Sequence, residues 1–199
     1  MSMAYELGGR SNQKQRTREA LVTAAKAQVS EGRTPTVEDA AAAAGISRTT
    51  AYRYFPNQRS LLAAAHPETV ATSMLSESAS NDPAERLEEV VRTFVAVIVE
   101  TEQQQRTMLR LSLEAQAGDG LPLRQGRAIT WITEALEPLK GQLSDAEIHN
   151  LVLAIRSATG IEALVWLTDI GGLSRARAAD LMLWSARSML QAAIAGDTP

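Results

Sequence analysis

Apolar residues recur along most of this chain at intervals of three and four, the spacing that gathers side chains on one side of an α-helix. No run alternates convincingly with a period of two, so the pattern predicts helices and no strand. A first helix is expected over about 13–30, with Leu21, Val22, Ala25 and Val29 on one face. Val37, Ala40, Ala41 and Ala44 mark a second helix, Ala51, Tyr54 and Phe55 a third, and Leu61, Leu62 and Ala65 a fourth. The fourth is expected to kink or restart at Pro67 and to continue past Met74 and Leu75 to about Ser78. Leu87, Val91, Phe94, Val95 and Ile98 form the stripe of a fifth, and Met108, Leu111 and Ala115 that of a sixth ending at Gly118. A seventh follows Gly120-Leu-Pro122 and carries Ala128, Trp131, Ile132, Ala135 and Leu139. An eighth is expected over about 145–169 and a ninth over about 175–195, about nine helices in all. Residues 1–12 are expected to be a disordered tail.

The helix ends are signalled as clearly as the faces. Thr36 precedes the second helix with Asp39 three residues on, an Asp form of the capping box. Gly45 supplies the left-handed backbone of a sharp stop, Ile46 can fill the corner, and Ser47 caps the third helix. Pro56 ends that helix at Phe55 or before, because the residue ahead of a proline avoids the α region. Asn57, Asp82-Pro83, Ser144 with Glu147, and Ser174 open later helices in the same manner.

Between Thr36 and Phe55 the pattern therefore gives two short helices around a tight turn. With Ala51, Tyr54 and Phe55 facing inward, Arg48, Thr49, Tyr52 and Arg53 point outward together. Cations, a hydroxyl and a phenol on one exposed face suit phosphate oxygens and base edges. The helix N-terminus adds N–H groups and the positive end of a dipole. The competing reading is a solvated face of an ordinary helix; the two caps, the glycine turn and the exposed Tyr52 count against it.

The run TVEDAAAAAGISRTTAYRYFPNQRSLL resembles the N-terminal DNA-binding domain of TetR-type transcriptional regulators over about residues 14–65. The Thr that opens the second helix, the A-x-x-A-G-I-S turn, T-x-Y-x-Y-F and the following Leu pair carry the resemblance. It implies a helix before the helix-turn-helix, a fourth helix leading into a ligand-binding domain, and dimerisation through the last two helices. It also implies effector binding in the larger domain. The chain departs from the family at Thr49, where a small residue is common, and at Ala51, where Leu is frequent. Many members carry Lys where Gln58 stands, which leaves the phosphate contact to Gln58 or to Arg59. Expected DNA-binding residues are Thr36, Ser47, Arg48, Thr49, Thr50, Tyr52, Arg53, Tyr54 and Arg59.

Charge sharpens this division. The net charge of −3 conceals nine Lys/Arg against five Asp/Glu in residues 1–65, and eleven against eighteen in 66–199. A basic head on an acidic body fits DNA binding through one end. With 199 residues and 45% hydrophobic content the chain can bury a substantial core. It has no cysteine, and His66 and His149 are its only imidazoles. No metal site, cofactor or catalytic constellation is expected, and no HExxH, Ser/His/Asp or phosphate-loop pattern appears. His66 reads as a helix-end residue and His149 as an exposed one. Met1–Arg10 has no apolar run of the signal-peptide kind, and no window approaches the ~18 unbroken apolar residues of a membrane span. A cytoplasmic protein is the expectation.

The eighth helix carries Ile148, Val152, Ile155 and Val165 on one face and Leu153, Gly160, Leu164 and Leu167 toward another. The ninth has Leu181, Leu183, Trp184, Met189 and Leu190. Helices apolar on so many sides need cover on two. A second copy of the chain would supply it, two helices from each pairing about a two-fold axis; a central core helix in a monomer is the alternative. An effector pocket is expected among Phe94, Met108, Leu111, Arg127, Trp131, Glu162 and Trp166. Each Trp and Met there could equally be core, and Glu162 could pair with Arg156 or Arg110.

The sequence thus predicts an all-α homodimer. Residues 13–65 would form a helix-turn-helix domain and 66–199 a helical ligand-binding and dimerisation domain, with the two copies pairing through about 145–169 and 175–195. It would bind a palindromic double-stranded operator as a repressor released by a small-molecule effector. The alternative is a helical small-molecule or lipid-binding dimer with a vestigial DNA-binding head; an enzyme ranks third.

Overall fold

The computed structural model describes residues 3–66, 71–114 and 126–197, with side chains from residue 12 onward. These residues are helical, with no strand among them. The α-helices are α1 (Met3–Ser30), α2 (Val37–Ala43), α3 (Arg48–Tyr54), α4 (Gln58–Ala65), α5 (Pro83–Glu100), α6 (Glu102–Leu113), α7 (Arg127–Ala135), α8 (Asp145–Thr159), α9 (Ile161–Val165) and α10 (Arg175–Ile194). A 3₁₀ turn, Glu137–Leu139, follows α7, and a π turn, Trp166–Ile170, follows α9.

The chain forms two compact units, Met1–Glu68 with Gln103–Arg124, and Thr69–Glu102 with Gln125–Pro199. In the first, α1 packs on α2, α3 and α4. Leu21, Ala25, Val37, Ala40, Ala41, Ala51, Phe55, Leu61 and Ala65 make its core, with Ile46 and Tyr54 packed on the edge. Alanines dominate the α2 contact, which lets the short helices approach closely. A second cluster joins Val29 and Leu62 to Met108 and Leu111 of α6. That cluster explains why the units differ from a simple division at residue 65. The apolar face of α6 meets α1 and α4, a contact between distant segments that periodicity does not encode.

In the second unit, α10 packs on α5 and α8, and α7 packs on α5 and α8. The expected inward residues of α5 and α7 are buried, and Val90 joins them. Arg86 of α5 closes the end of α7, its Nη2 donating to the Glu134 carbonyl at 2.8 Å and its Nε to that of Ala135 at 3.2 Å. Arg175, the first residue of α10, pairs with the buried Glu102 carboxylate at 3.0 and 3.1 Å.

Several local expectations change. Helix α1 already runs from Met3, so residues assigned to a disordered tail are helical. No proline interrupts it, and Gly8 and Gly9 each cost it only about 1 kcal/mol. Met74 and Leu75 lie in turns and bends rather than in a continued fourth helix. Pro67, Ala115, Gly118 and Gly120-Leu-Pro122 lie outside the described residues. The single helix expected at 145–169 is broken at Gly160, which adopts φ −89° and ψ −179°. A Cβ at Gly160 would meet Nη1 of Arg156 at 1.7 Å and a Glu162 carboxylate oxygen at 2.5 Å, because that ion pair closes across the glycine. Asp145–Ile170 is long and apolar enough to cross a membrane by length and composition alone. Its break at Gly160 and its packing on α7 and α10 fit a core segment better.

Candidate nucleic-acid interface

The turn between α2 and α3 is built from its caps. The Thr36 hydroxyl accepts from the Asp39 N–H at 3.1 Å and donates to the Asp39 carboxylate at 2.7 Å, while the Thr36 N–H donates to the same carboxylate at 2.8 Å. These bonds hold the Asp39 carboxyl below its ordinary range, the Thr36 backbone bond contributing most. Gly45 takes φ +66°, with nothing within 4 Å of an added Cβ. The glycine is therefore required by backbone conformation and not by space. The Ile46 N–H returns to the Ala41 carbonyl at 2.9 Å. Ser47 starts α3, accepting from the Thr50 N–H at 3.3 Å. Phe55, at φ −132° and ψ 94°, ends α3 ahead of Pro56 as expected.

This frame fixes which side chains reach solvent. Arg48, Thr49, Tyr52 and Arg53 are exposed along α3, whereas Ala51 and Phe55 are buried. Arg53 makes no ion pair among the described residues. Arg48 and Tyr52 are organised by a residue of α2. The Tyr52 hydroxyl donates to Oε1 of Glu38 at 2.7 Å, and Nη2 of Arg48 lies 2.8 Å from the same oxygen. The Arg48 guanidinium also sits over the Tyr52 ring, 5.7 Å from its centroid. The Tyr52 hydrogen bond, chiefly, holds the Glu38 carboxyl below its usual value. The same bond raises the phenol of Tyr52, which keeps its proton.

Other expected contacts have partners inside the protein. The Ser47 hydroxyl donates to Oγ1 of Thr50 at 2.8 Å. Tyr54 is half-buried against the core. Gln58 donates to the carbonyls of Thr34 at 3.2 Å and Pro35 at 3.0 Å, tying α4 to the loop before α2. Arg59 donates to the carbonyls of Leu111 at 2.9 Å and Glu114 at 3.5 Å, at the C-terminal end of α6. A cation there suits the negative end of that helix. Gln58 and Arg59 are thus both engaged within the first unit.

Glu38 was missing from the sequence-based set. Its signal was the pair of acids, Glu38 and Asp39, opening α2 where the capping box needs one. A surplus carboxylate in a segment rich in Lys and Arg marks a place to look for a cation. Arg18 of α1, stacked 5.4 Å from the Phe55 centroid, was likewise not anticipated.

The expected effector residues divide between the units. Met108 and Leu111 are core of the first. In the second, Phe94 and Trp131 meet edge-to-face with centroids 6.1 Å apart, and the Arg156 guanidinium lies 5.5 Å from the Phe94 centroid. Glu162 pairs with Arg156 at 3.4 Å, one of the two partners anticipated for it. Arg127 is half-buried at the start of α7, and Trp166 is 58% exposed.

Residues 21–65, which span the end of α1 through α4, match the model for bacterial regulatory proteins of the tetR family. No curated protein matches the chain. The matched segment contains both caps, the Gly45 turn and the exposed face of α3. On that match and that geometry, residues 21–65 form a helix-turn-helix of the kind found in bacterial regulatory proteins of the tetR family.

Proposed function

We propose that the protein acts as a homodimeric, effector-responsive repressor on a palindromic operator. The observation that carries the DNA part is the exposed α3 face of Arg48, Thr49, Tyr52 and Arg53, framed by the capped turn. In a helix-turn-helix the second helix enters the major groove. Arg48, Tyr52 and Arg53 would face the groove, with Thr49 beside them. Thr36, Ser47, Thr50 and Tyr54 would add backbone contacts at the margins. Arg59, capping α6, would reach phosphate only by leaving that position.

The dimer reading rests on apolar side chains left in solvent on the second unit. Leu153, Trp166, Ile170, Leu181, Trp184 and Ile194 are exposed along α8, the π turn and α10. Two such residues, Trp166 and Trp184, are 58% and 62% exposed. Large exposed aromatics and aliphatics are typical of interfaces. The effector would bind in the second unit near Phe94, Trp131 and the Arg156–Glu162 pair, with Arg127 as a further polar group. A ligand able to compete for Arg156 or Glu162 would bind one state of the domain better than another, as any release mechanism requires. The protein would work as a binding protein in the cytoplasm, where the DNA is, without catalysing a reaction.

Selection from random-sequence duplexes by the purified protein tests the DNA reading. A palindromic motif is expected, bound with a log–log salt slope near −5 if the dimer neutralises roughly six phosphates. Failure to enrich any motif would refute it. Glu162→Gln tests the effector site once a releasing compound is found by screening. The response should change while the thermal midpoint stays put.

A further inference from the structure

We infer that Glu38, on α2, is a specificity-determining residue of the DNA-facing surface, holding Arg48 and Tyr52 of α3 in a form that reads base edges and disfavours phosphate. The inference rests on the reading of α3 as the recognition helix. Its basis is the shared oxygen: Oε1 of Glu38 accepts from the Tyr52 hydroxyl at 2.7 Å and pairs with Arg48 Nη2 at 2.8 Å.

The direction of the Tyr52 bond matters most. A phenol has one proton to give. While Tyr52 donates it to Glu38, the hydroxyl can only accept toward DNA. Phosphate oxygens are acceptors, so this hydroxyl has nothing to offer them. In the major groove the groups that can donate to it are the amino groups of adenine and cytosine. Glu38 therefore converts a side chain of mixed use into an acceptor that recognises an amino group.

Arg48 is constrained by the same carboxylate and by the face of the Tyr52 ring. A free arginine on a DNA-facing helix pairs readily with whatever phosphate is nearest, which raises affinity for every sequence. One tethered by a single Nη still has donors for the two acceptors on a guanine edge. The carboxylate also brings negative charge to the surface, which opposes indiscriminate approach to the phosphate backbone. The cluster is well exposed, and such surface ion pairs add little to folding stability. Orientation is the better account of why a carboxylate, a phenol and a guanidinium converge there.

The test compares wild type, Glu38→Ala, Glu38→Gln and Tyr52→Phe. Each is put through selection from random-sequence duplexes, then titrated against its selected duplex and a scrambled one across a salt series. Circular dichroism establishes that each variant is folded. For Glu38→Ala, affinity for the scrambled duplex should rise about 3–10-fold, its salt dependence should steepen, and the ratio of selected to scrambled affinity should fall about tenfold or more. Glu38→Gln keeps the size of the side chain and an acceptor for Tyr52 but loses the charge. It should therefore release Arg48 alone and show a smaller loss of discrimination. Tyr52→Phe should lose the preference at an A or C position without gaining affinity for scrambled DNA. The inference is overturned if Glu38→Ala and Glu38→Gln both select the wild-type motif with scrambled-duplex affinity within twofold. A wild-type protein that enriches no motif would instead bring down the recognition-helix reading, and this inference with it.

Discussion

In the first unit the polar side chains near the turn are occupied locally: Thr36 with Asp39, Ser47 with Thr50, Gln58 with Thr34 and Pro35. Its apolar residues close on an alanine-rich core, and what it offers to solvent along α3 is charged and hydroxylic. The second unit does the opposite. Its polar groups tie long helices together, as Glu102 does with Arg175 and Arg86 with the end of α7, while tryptophan, leucine and isoleucine stay exposed on α8 and α10. On the proposed function, the contrast follows from what each surface would meet. A nucleic acid is recognised by hydrogen bonds and charge, so the surrounding polar groups have to be satisfied beforehand or they would bind at random. A protein partner is recognised by buried apolar area, so a surface that pairs with a second copy, as proposed for this unit, would keep apolar side chains exposed in the single chain.

The largest effect should come from spoiling the unfinished surface. Leu181→Glu combined with Trp184→Arg places charges where apolar side chains are exposed, while the buried residues Met182, Leu183 and Ala186 remain in place. Light scattering should show a monomer with unchanged helical content, and operator affinity should collapse because one half-site binds alone. A clean dimer from this variant would move the interface elsewhere and dissolve the contrast.

On the finished surface the losses should be smaller and confined to DNA. Arg48→Ala or Tyr52→Ala should each cost about 1–3 kcal/mol per half-site, with dimer and thermal midpoint unaffected. Operator affinity within twofold of wild type in both variants would remove α3 from the interface.

How much of this was legible in the sequence follows from the range of the interactions. Caps and stops involve residues three or four apart, and Thr36, Gly45, Ser47, Asn57, Asp82 and Ser144 all act where the sequence puts them. Buried faces of α5 and α7 were equally plain, since one stripe on one helix decides them. Glu38 with Arg48 and Tyr52, Arg59 with the end of α6, and α6 with Val29 and Leu62 join residues 10 or more apart, and no periodicity carries those pairings. Gly160 is an intermediate case. A glycine within an apolar run was visible, but the meeting of Arg156 and Glu162 across it was not marked by any periodicity.

That break gives a third effect, this time inside the second unit. Gly160→Ala would drive a methyl group into the Arg156–Glu162 pair. The obstructing atoms are the tips of two flexible side chains, so the pair should open at a cost of up to about 1 kcal/mol. A thermal midpoint close to that of the wild type, with DNA affinity preserved, is expected; a large drop would mean that the backbone has shifted instead.

The smallest effect separates the units by acid. Glu38 and Asp39 in the first unit, and Glu88 in the second, all have carboxyl groups held below their ordinary values of 4.5, 3.8 and 4.5. The causes differ. For Glu38 and Asp39 hydrogen bonds within the turn dominate, from Tyr52 and from Thr36. For Glu88 the leading cause is Arg92 on its own helix, joined by Arg187 of α10 at 2.5 Å. A carboxyl lowered in the folded state contributes stability that is present above its unfolded value and is lost as pH falls through the folded one. Each unit should therefore hold its midpoint from neutrality down to about pH 4.5 and then lose a few degrees. Since all three groups lie near the surface, the losses are modest and shrink in salt for Glu88, whose partners are cations. The turn carboxylates, held mainly by neutral donors, should respond to salt much less. Asp39→Asn should flatten the acid limb of the first unit in low and high salt alike, and Glu88→Gln that of the second in low salt only. Equal salt sensitivity in both limbs would show that charge pairing, and not the hydrogen-bonded cap, governs the acid response of the helix-turn-helix.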